Sequence, residues 1–252
     1  MIYNWYIEIR RAMQELYEYK FNLLFANIGL IFLFTGLLQF VSSDDKEVTL
    51  LLMMAWYSGT HGFSNIAYIL EDEIIDGTIV NILQSKISLY YVVWMRAGIQ
   101  LLADFIKSIG VFIIIILLED IVYQCSFHIM FDMFIGVTIA ILVTYGIGFC
   151  IGSLAIRYRK IIAVAELFYY FVLFFSGVIY NVQNLYVLNG LNMLLPFGSL
   201  RNLLTNLYYY ERLDTPSLFH LFLLLFVWIC VGSILFHAAV KRGLDLGSIY
   251  EE

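Results

Sequence analysis

The stretch EDEIIDGTIVNILQSKIS, residues 71–88, decides how the rest of the chain is read. Four of its first six residues are acids: Glu71, Asp72, Glu73 and Asp76. Ile74, Ile75, Thr78, Ile79, Ile82 and Leu83 recur at helical spacing, and long apolar runs flank the stretch on both sides. A solvated connecting loop does not require a sustained stripe, so the spacing predicts one amphipathic helix over 71–88. Acids at its start suit the positive end of a helix dipole, and Lys86 closes it near the negative end. Helices that lie on membranes usually carry lysine and arginine on the polar face. An acidic face fits better as a docking surface for another protein.

The flanks set the environment. Of 252 residues, 62% are hydrophobic and only 13% charged, with a mean hydropathy of +0.85. Soluble domains carry about 25% charged residues. Half that amount leaves too little polar surface to cover a globule, which implies one polytopic membrane domain spanning 1–252. The net charge of −6 says little, because its distribution across the bilayer matters more than its sum. The start, MIYNWYIEIRRAM, mixes acids and bases and does not resemble a cleaved signal peptide. Cys125, Cys150 and Cys230 show no metal-binding spacing and read as small buried hydrophobes.

Ile2, Trp5, Tyr6, Ile9, Met13, Leu16 and Tyr17 form one aromatic-rich helical stripe. Residues 1–20 are too polar to span and are expected to lie in the membrane interface. Six spans, each near the ~20 residues that a bilayer requires, are expected at about 21–41, 48–70, 92–118, 132–156, 161–180 and 217–240. SGTHG (58–62) and GIGFCIGS (146–153) place small residues within two of them, as close helix packing demands. The connection 181–216 is long and greasy, and reads as two short helices broken at Pro196 that dip into the outer leaflet.

Lys and Arg set the orientation. With the amino terminus inside, Arg10, Arg11, Lys20, Lys86, Arg96, Arg157, Arg159, Lys160, Lys241 and Arg242 are cytoplasmic. Only Lys46, Arg201 and Arg212 fall outside. Both termini and the 71–88 segment are therefore expected in the cytoplasm.

Sites for chemistry are sparse. No GxxxxGK[ST] occurs, so the chain offers no P-loop for ATP. Ser58 and His61 share one helix and cannot face each other across a proteolytic cleft. Glu73-x-x-Asp76-Gly77 faintly resembles the metal-binding acids of phospholipid alcohol transferases, but no second carboxylate pair follows. Nothing points to nucleic acid. Asp104 and Lys107 share a helix face near the middle of the third span, and Glu166 sits in the fifth. Such charges line a polar path or form a structural ion pair, and the sequence leaves both readings open.

Together these features resemble the membrane subunits of type 2 ABC exporters. That family has a Glu-rich segment between spans two and three, then Gly-Thr and a Leu-Leu-x-Ser-Pro-Ile-Ser-like end. The matching residues are Glu73, Gly77, Thr78, Ile82, Leu83, Ser85, Ile87 and Ser88. Asp76 stands where a basic residue usually precedes Gly-Thr, and Lys86 where Pro is usual. Pro196 and Arg201 match an outer Asn-Pro…Arg, with Leu195 replacing the Asn. The resemblance implies a coupling helix at 71–88, seated on a cytoplasmic ATP-binding subunit through Glu71, Asp72, Glu73, Asp76, Gly77, Thr78, Leu83 and Ser85. It implies re-entrant outer helices carrying Pro196 and Arg201. Two ATPase subunits, holding ATP and Mg, would serve this chain and a second membrane subunit, identical or different. This chain itself would bind no cofactor and perform no hydrolysis. The setting the resemblance implies is a bacterial plasma membrane, and the expected cargo is a hydrophobic or amphipathic peptide, drug or lipid-linked molecule. The alternative is a secondary transporter using Asp104, Lys107 and Glu166 as an ion relay, although no internal repeat is visible.

Overall fold

The computed structural model describes residues 2–41, 45–85, 87–158, 160–176, 178, 190 and 192–245. All regular structure among them is helical. The helices are α1 (Ile2–Glu18), α2 (Lys20–Leu38), α3 (Lys46–Ile75), α4 (Ile79–Gln84), α5 (Leu89–Leu118) and α6 (Phe127–Tyr158). They continue with α7 (Ile162–Phe175), α8 (Pro196–Tyr210) and α9 (Thr215–Asp245). Lys86, Arg159, most of 177–191 and the last residues lie outside the described residues, so the first half of the 181–216 connection does too.

Among the described residues, four helices, α2, α5, α6 and α9, are long and apolar enough to cross a membrane. The chain is a membrane-embedded helical protein. The expected count was six, and the two remaining candidates depart from it for different reasons. Helix α7 has 14 residues, about 21 Å against a hydrocarbon layer of about 30 Å. Helix α3 has 30 residues, which is length enough, but it carries a polar face that lowers its hydropathy.

That polar face is tolerated because α3 is enclosed. It packs along α6, against α5, and against α7 and α8, and most of its side chains are buried. A helix surrounded by protein need not be greasy all round, because its polar groups meet partners instead of lipid. Ser58 Oγ donates to Ser108 Oγ at 2.8 Å, and Thr60 Oγ1 donates to the Tyr57 carbonyl at 2.6 Å. Trp56 stacks on Tyr169 of α7, with ring centroids 4.8 Å apart.

Helix α6 forms the other half of the core, with α3 on one side and α9 on the other. Its glycines permit that closeness, as the GIGFCIGS pattern implies. A Cβ on Gly148 would overlap the Gly62 carbonyl oxygen of α3. A Cβ on Gly146 would lie 2.9 Å from the Trp228 carbonyl carbon of α9. Two backbones in contact leave no room for larger residues, so this seam fixes the relative position of the three helices.

Helix α8 begins where the sequence placed a break. Pro196 occupies its first turn, where a missing N–H costs nothing. It ends at Glu211 in a left-handed conformation, φ 50°. Pro196 is buried, and Arg201 Nη2 donates to the Val178 carbonyl at 3.0 Å, tying α8 to the segment after α7. Helix α1 rests on α5, where Trp5 Nε1 donates to Tyr91 Oη at 3.1 Å. Tyr6, Met13 and Tyr17 of its stripe stay exposed.

Candidate functional site

The 71–88 segment is not one helix. Helix α3 runs on to Ile75, a turn follows at residues 76–78, and α4 supplies six residues. Gly77 makes the turn possible, with φ at +68°, a left-handed conformation costly for residues bearing a Cβ. Ser85 closes α4, its Oγ donating to the Ile82 carbonyl at 2.7 Å and accepting from Ile87 N at 3.2 Å. Ser88 then caps α5 by accepting from Tyr91 N at 3.3 Å. Leu83 is half-buried against the core.

The acids therefore sit at the carboxyl end of α3, reversing the sequence expectation. Negative charge there opposes the helix dipole, and the structure compensates it at Glu71 and Glu73. Glu71 is buried and accepts backbone N–H groups from Ile161 and, at 3.1 Å, from Ile162. It therefore caps the positive end of α7. Its sequence assignment as a docking acid is corrected: this side chain faces inward.

Glu73 is buried on the opposite side, at the centre of a charged node. Arg96 of α5 donates from Nη1 to Glu73 and from Nε to Glu8 of α1, the latter at 3.2 Å. Thr78 of the turn donates its hydroxyl to the other Glu73 oxygen. One carboxylate thus joins the end of α3 and the turn to α5, and Arg96 carries the link on to α1. Burial pushes the Glu73 carboxyl up, but the Thr78 hydrogen bond and the Arg96 guanidinium outweigh it and hold it below the usual range.

Asp72 and Asp76 differ. At about 100° per residue, both project from the arc between Glu71 and Glu73, and both are exposed. Burial, then the like charges of Asp76 and Glu71, push the Asp72 carboxyl up. Of the four acids, the structure buries Glu71 and Glu73 and leaves Asp72 and Asp76 exposed.

A cavity of about 370 Å³ opens beside this node, between α1, α3 and α5. His61, Ser64, Asn65, Tyr68 and Asp72 form its α3 wall, one polar stripe at spacings of three and four. Behind His61 and Gln100, which line it, lies the pair expected from sequence, with Lys107 Nζ 2.9 Å from Asp104 Oδ1. Asp104 is 1% exposed, and its Oδ2 stands 3.8 Å from His61 Nδ1 without a hydrogen-bond partner. Glu166 does not join them: Tyr68 Oη donates to it at 2.6 Å, and no ion pair among the described residues links it to Asp104 or Lys107.

Sequence reasoning missed three participants. Glu8 and Arg96 were visible only as a polar-face residue and a counted charge, because their pairing spans 88 positions. His61 sits in the SGTHG run, and its approach to Asp104 depends on how α3 meets α5. Among the described residues, no three His, Cys, Asp or Glu side chains are arranged to hold a metal ion. The sequence matches no protein-family model and no curated protein.

Proposed function

We propose that this chain is the membrane subunit of an ATP-driven exporter, energised by a separate cytoplasmic ATP-binding subunit. The observation that carries the reading is the Glu73 node. The short α4 and its turn are tied through Thr78, Glu73 and Arg96 to α5, and onward to α1. A push on α4 from outside reaches two other helices through charged hydrogen bonds, not through a slack loop. The exposed Asp72 and Asp76 offer the contact for a basic cleft on the ATPase. Within this reading α3 and α7 complete six membrane passages, α3 admitted by its protein surroundings. The surplus of Lys and Arg supports a cytoplasmic position for both termini and α4. A second copy or a related chain completes the translocation path, and the cargo is hydrophobic or amphipathic.

The test is whether a neighbouring gene encodes a P-loop protein and, if one does, co-expression with it. The purified complex should hydrolyse ATP faster than the ATPase alone, and Asp72→Asn/Asp76→Asn should lose that stimulation. Failure to co-purify, or stimulation indifferent to the double variant, sinks the reading. An ion-coupled transporter is the second reading, favoured by the His61–Asp104–Lys107 contact. Transport that persists without ATP and collapses with the proton gradient would select it.

A further inference from the structure

The seam between α3 and α5 is tied at three levels, and the middle one is incomplete. Toward one end Ser58 Oγ donates to Ser108 Oγ at 2.8 Å, and at the other Arg96 donates to Glu73. Between them His61 of α3 lies opposite Asp104 of α5, with Nδ1 3.8 Å from Oδ2. That is ion-pair distance but too long for a hydrogen bond.

The two oxygens of Asp104 are served unequally. Oδ1 accepts from Lys107 Nζ at 2.9 Å and from Gln100 Nε2 at 3.4 Å, both donors belonging to α5 itself. Oδ2 is buried and has no hydrogen-bond partner among the described residues. A buried carboxylate oxygen without a donor is costly, and the side chain that can remove the cost sits on the neighbouring helix. His61 also meets water, because its side chain is 40% exposed and lines the cavity between α1, α3 and α5. Imidazole is the side chain whose charge ordinarily changes between about pH 5 and 8. A neutral ring carries one N–H, on either nitrogen, whereas a protonated ring carries both and a positive charge. We propose that protonation of His61 closes a clasp between α3 and α5, with Nδ1–H donating to Asp104 Oδ2, and that loss of the proton opens it. Closure takes a movement of about 1 Å, the difference between the present contact and a charge-assisted hydrogen bond.

The surrounding charges act in both directions. On α5, Lys107 opposes a second positive charge beside Asp104, and Arg96 is committed to Glu8 and Glu73. The cavity walls that His61 shares carry Glu8, Arg11 and Glu15 from α1, and Asp72, Glu73 and Asp76 from α3. Acids outnumber bases there. Tyr57 meets the imidazole edge-on, with ring centroids 5.2 Å apart, and α6 approaches at Gly62 through Thr144 and Tyr145. These hydroxyls are uncharged at neutral pH. Glu166 of α7 is held further along α3 by Tyr68, at 2.6 Å. With the clasp closed, the two helices that flank α4 are joined at all three levels.

The experiment compares the purified chain with His61→Gln in detergent micelles, by nitrogen-15 NMR of labelled histidine and by chemical unfolding at pH 8 and pH 5. The His61 signal, identified by its absence from the variant, should show at low pH an Nδ1 proton protected from exchange with water. The protonated ring makes the bond, so the stabilisation is present in acid and lost as pH rises. Relative to His61→Gln, the folded-to-unfolded ratio should gain about tenfold between pH 8 and pH 5, the scale of one charge-assisted hydrogen bond. Asp104→Asn should abolish the protected proton, and the His61→Gln comparison decides alone if that variant fails to fold. A ring that stays uncharged at pH 5, an unprotected Nδ1 proton, or the same pH dependence in His61→Gln overturns the proposal. No ATPase is present, so this outcome stands apart from that of the coupling test.

Discussion

Two sides of the α3 terminus carry the same chemistry to different ends. Glu71 and Glu73 face neighbouring helices, and each is consumed by the fold, one capping α7 and the other holding Arg96 and Thr78. Asp72 and Asp76 occupy the arc between them and stay exposed, without an ion pair among the described residues. An acidic run is therefore not a single feature. Half of it builds the platform, and half is displayed upon it. The difference teaches that a charged segment between membrane helices must be resolved by helical angle before any residue is given to a partner.

The comparison is broken most severely by removing the platform. Arg96→Ala strands Glu73 among buried groups, and a loss of about 2–3 kcal/mol is expected. That lies below the cost of breaking a fully enclosed pair, because Arg96 keeps some contact with water. Chemical unfolding in detergent micelles measures it, and Glu73→Gln in the same background should restore part of the loss.

Glu71→Ala comes next, at about 1–2 kcal/mol. Its signature is local: hydrogen exchange should quicken at Ile161 and Ile162, whose amides lose their acceptor, while the α3–α6 seam stays protected. Exchange that quickens everywhere would mean Glu71 has a broader role than a cap.

Titration separates the two sides by sign. Glu73 is held below its ordinary 4.5, so its stabilisation is complete above that value and disappears as pH falls through the depressed folded value. Asp72 is held above its ordinary 3.8, so its charge destabilises the fold at higher pH and the burden lifts as pH falls through the raised value. Unfolding curves from pH 7 down should lose the first contribution in Glu73→Gln and the second in Asp72→Asn. The smallest stability effect belongs to Asp76→Asn, within about 0.5 kcal/mol, as for exposed substitutions generally. A larger loss would move Asp76 from the displayed half to the platform.

Much of the fold was legible because membrane burial writes itself as run length. The apolar runs over 92–118 and 132–156 lie inside α5 and α6, Pro196 opens α8, and GIGFCIGS marks the seam against α3 and α9. The i, i+3 spacing of Asp104 and Lys107 was enough to pair them. What was not legible depended on distant partners. The acids at 71–76 resemble a helix start, and only the α7 amides, some ninety positions away, explain why Glu71 can end a helix instead. Glu8 and Arg96 meet for the same reason, through packing that no local pattern encodes.

The central claim is that the exposed half of this terminus and α4 receive an ATP-binding subunit. Site-directed cross-linking tests it directly. A single cysteine at Asp76, in a chain whose Cys125, Cys150 and Cys230 are replaced by serine, is co-expressed with the ATP-binding subunit that the proposal requires and treated with a short bifunctional cross-linker. The account predicts an adduct between the two chains from Asp76→Cys, and none from Glu71→Cys, which faces inward. Cross-linking absent at Asp76, or equal at both positions, would contradict it.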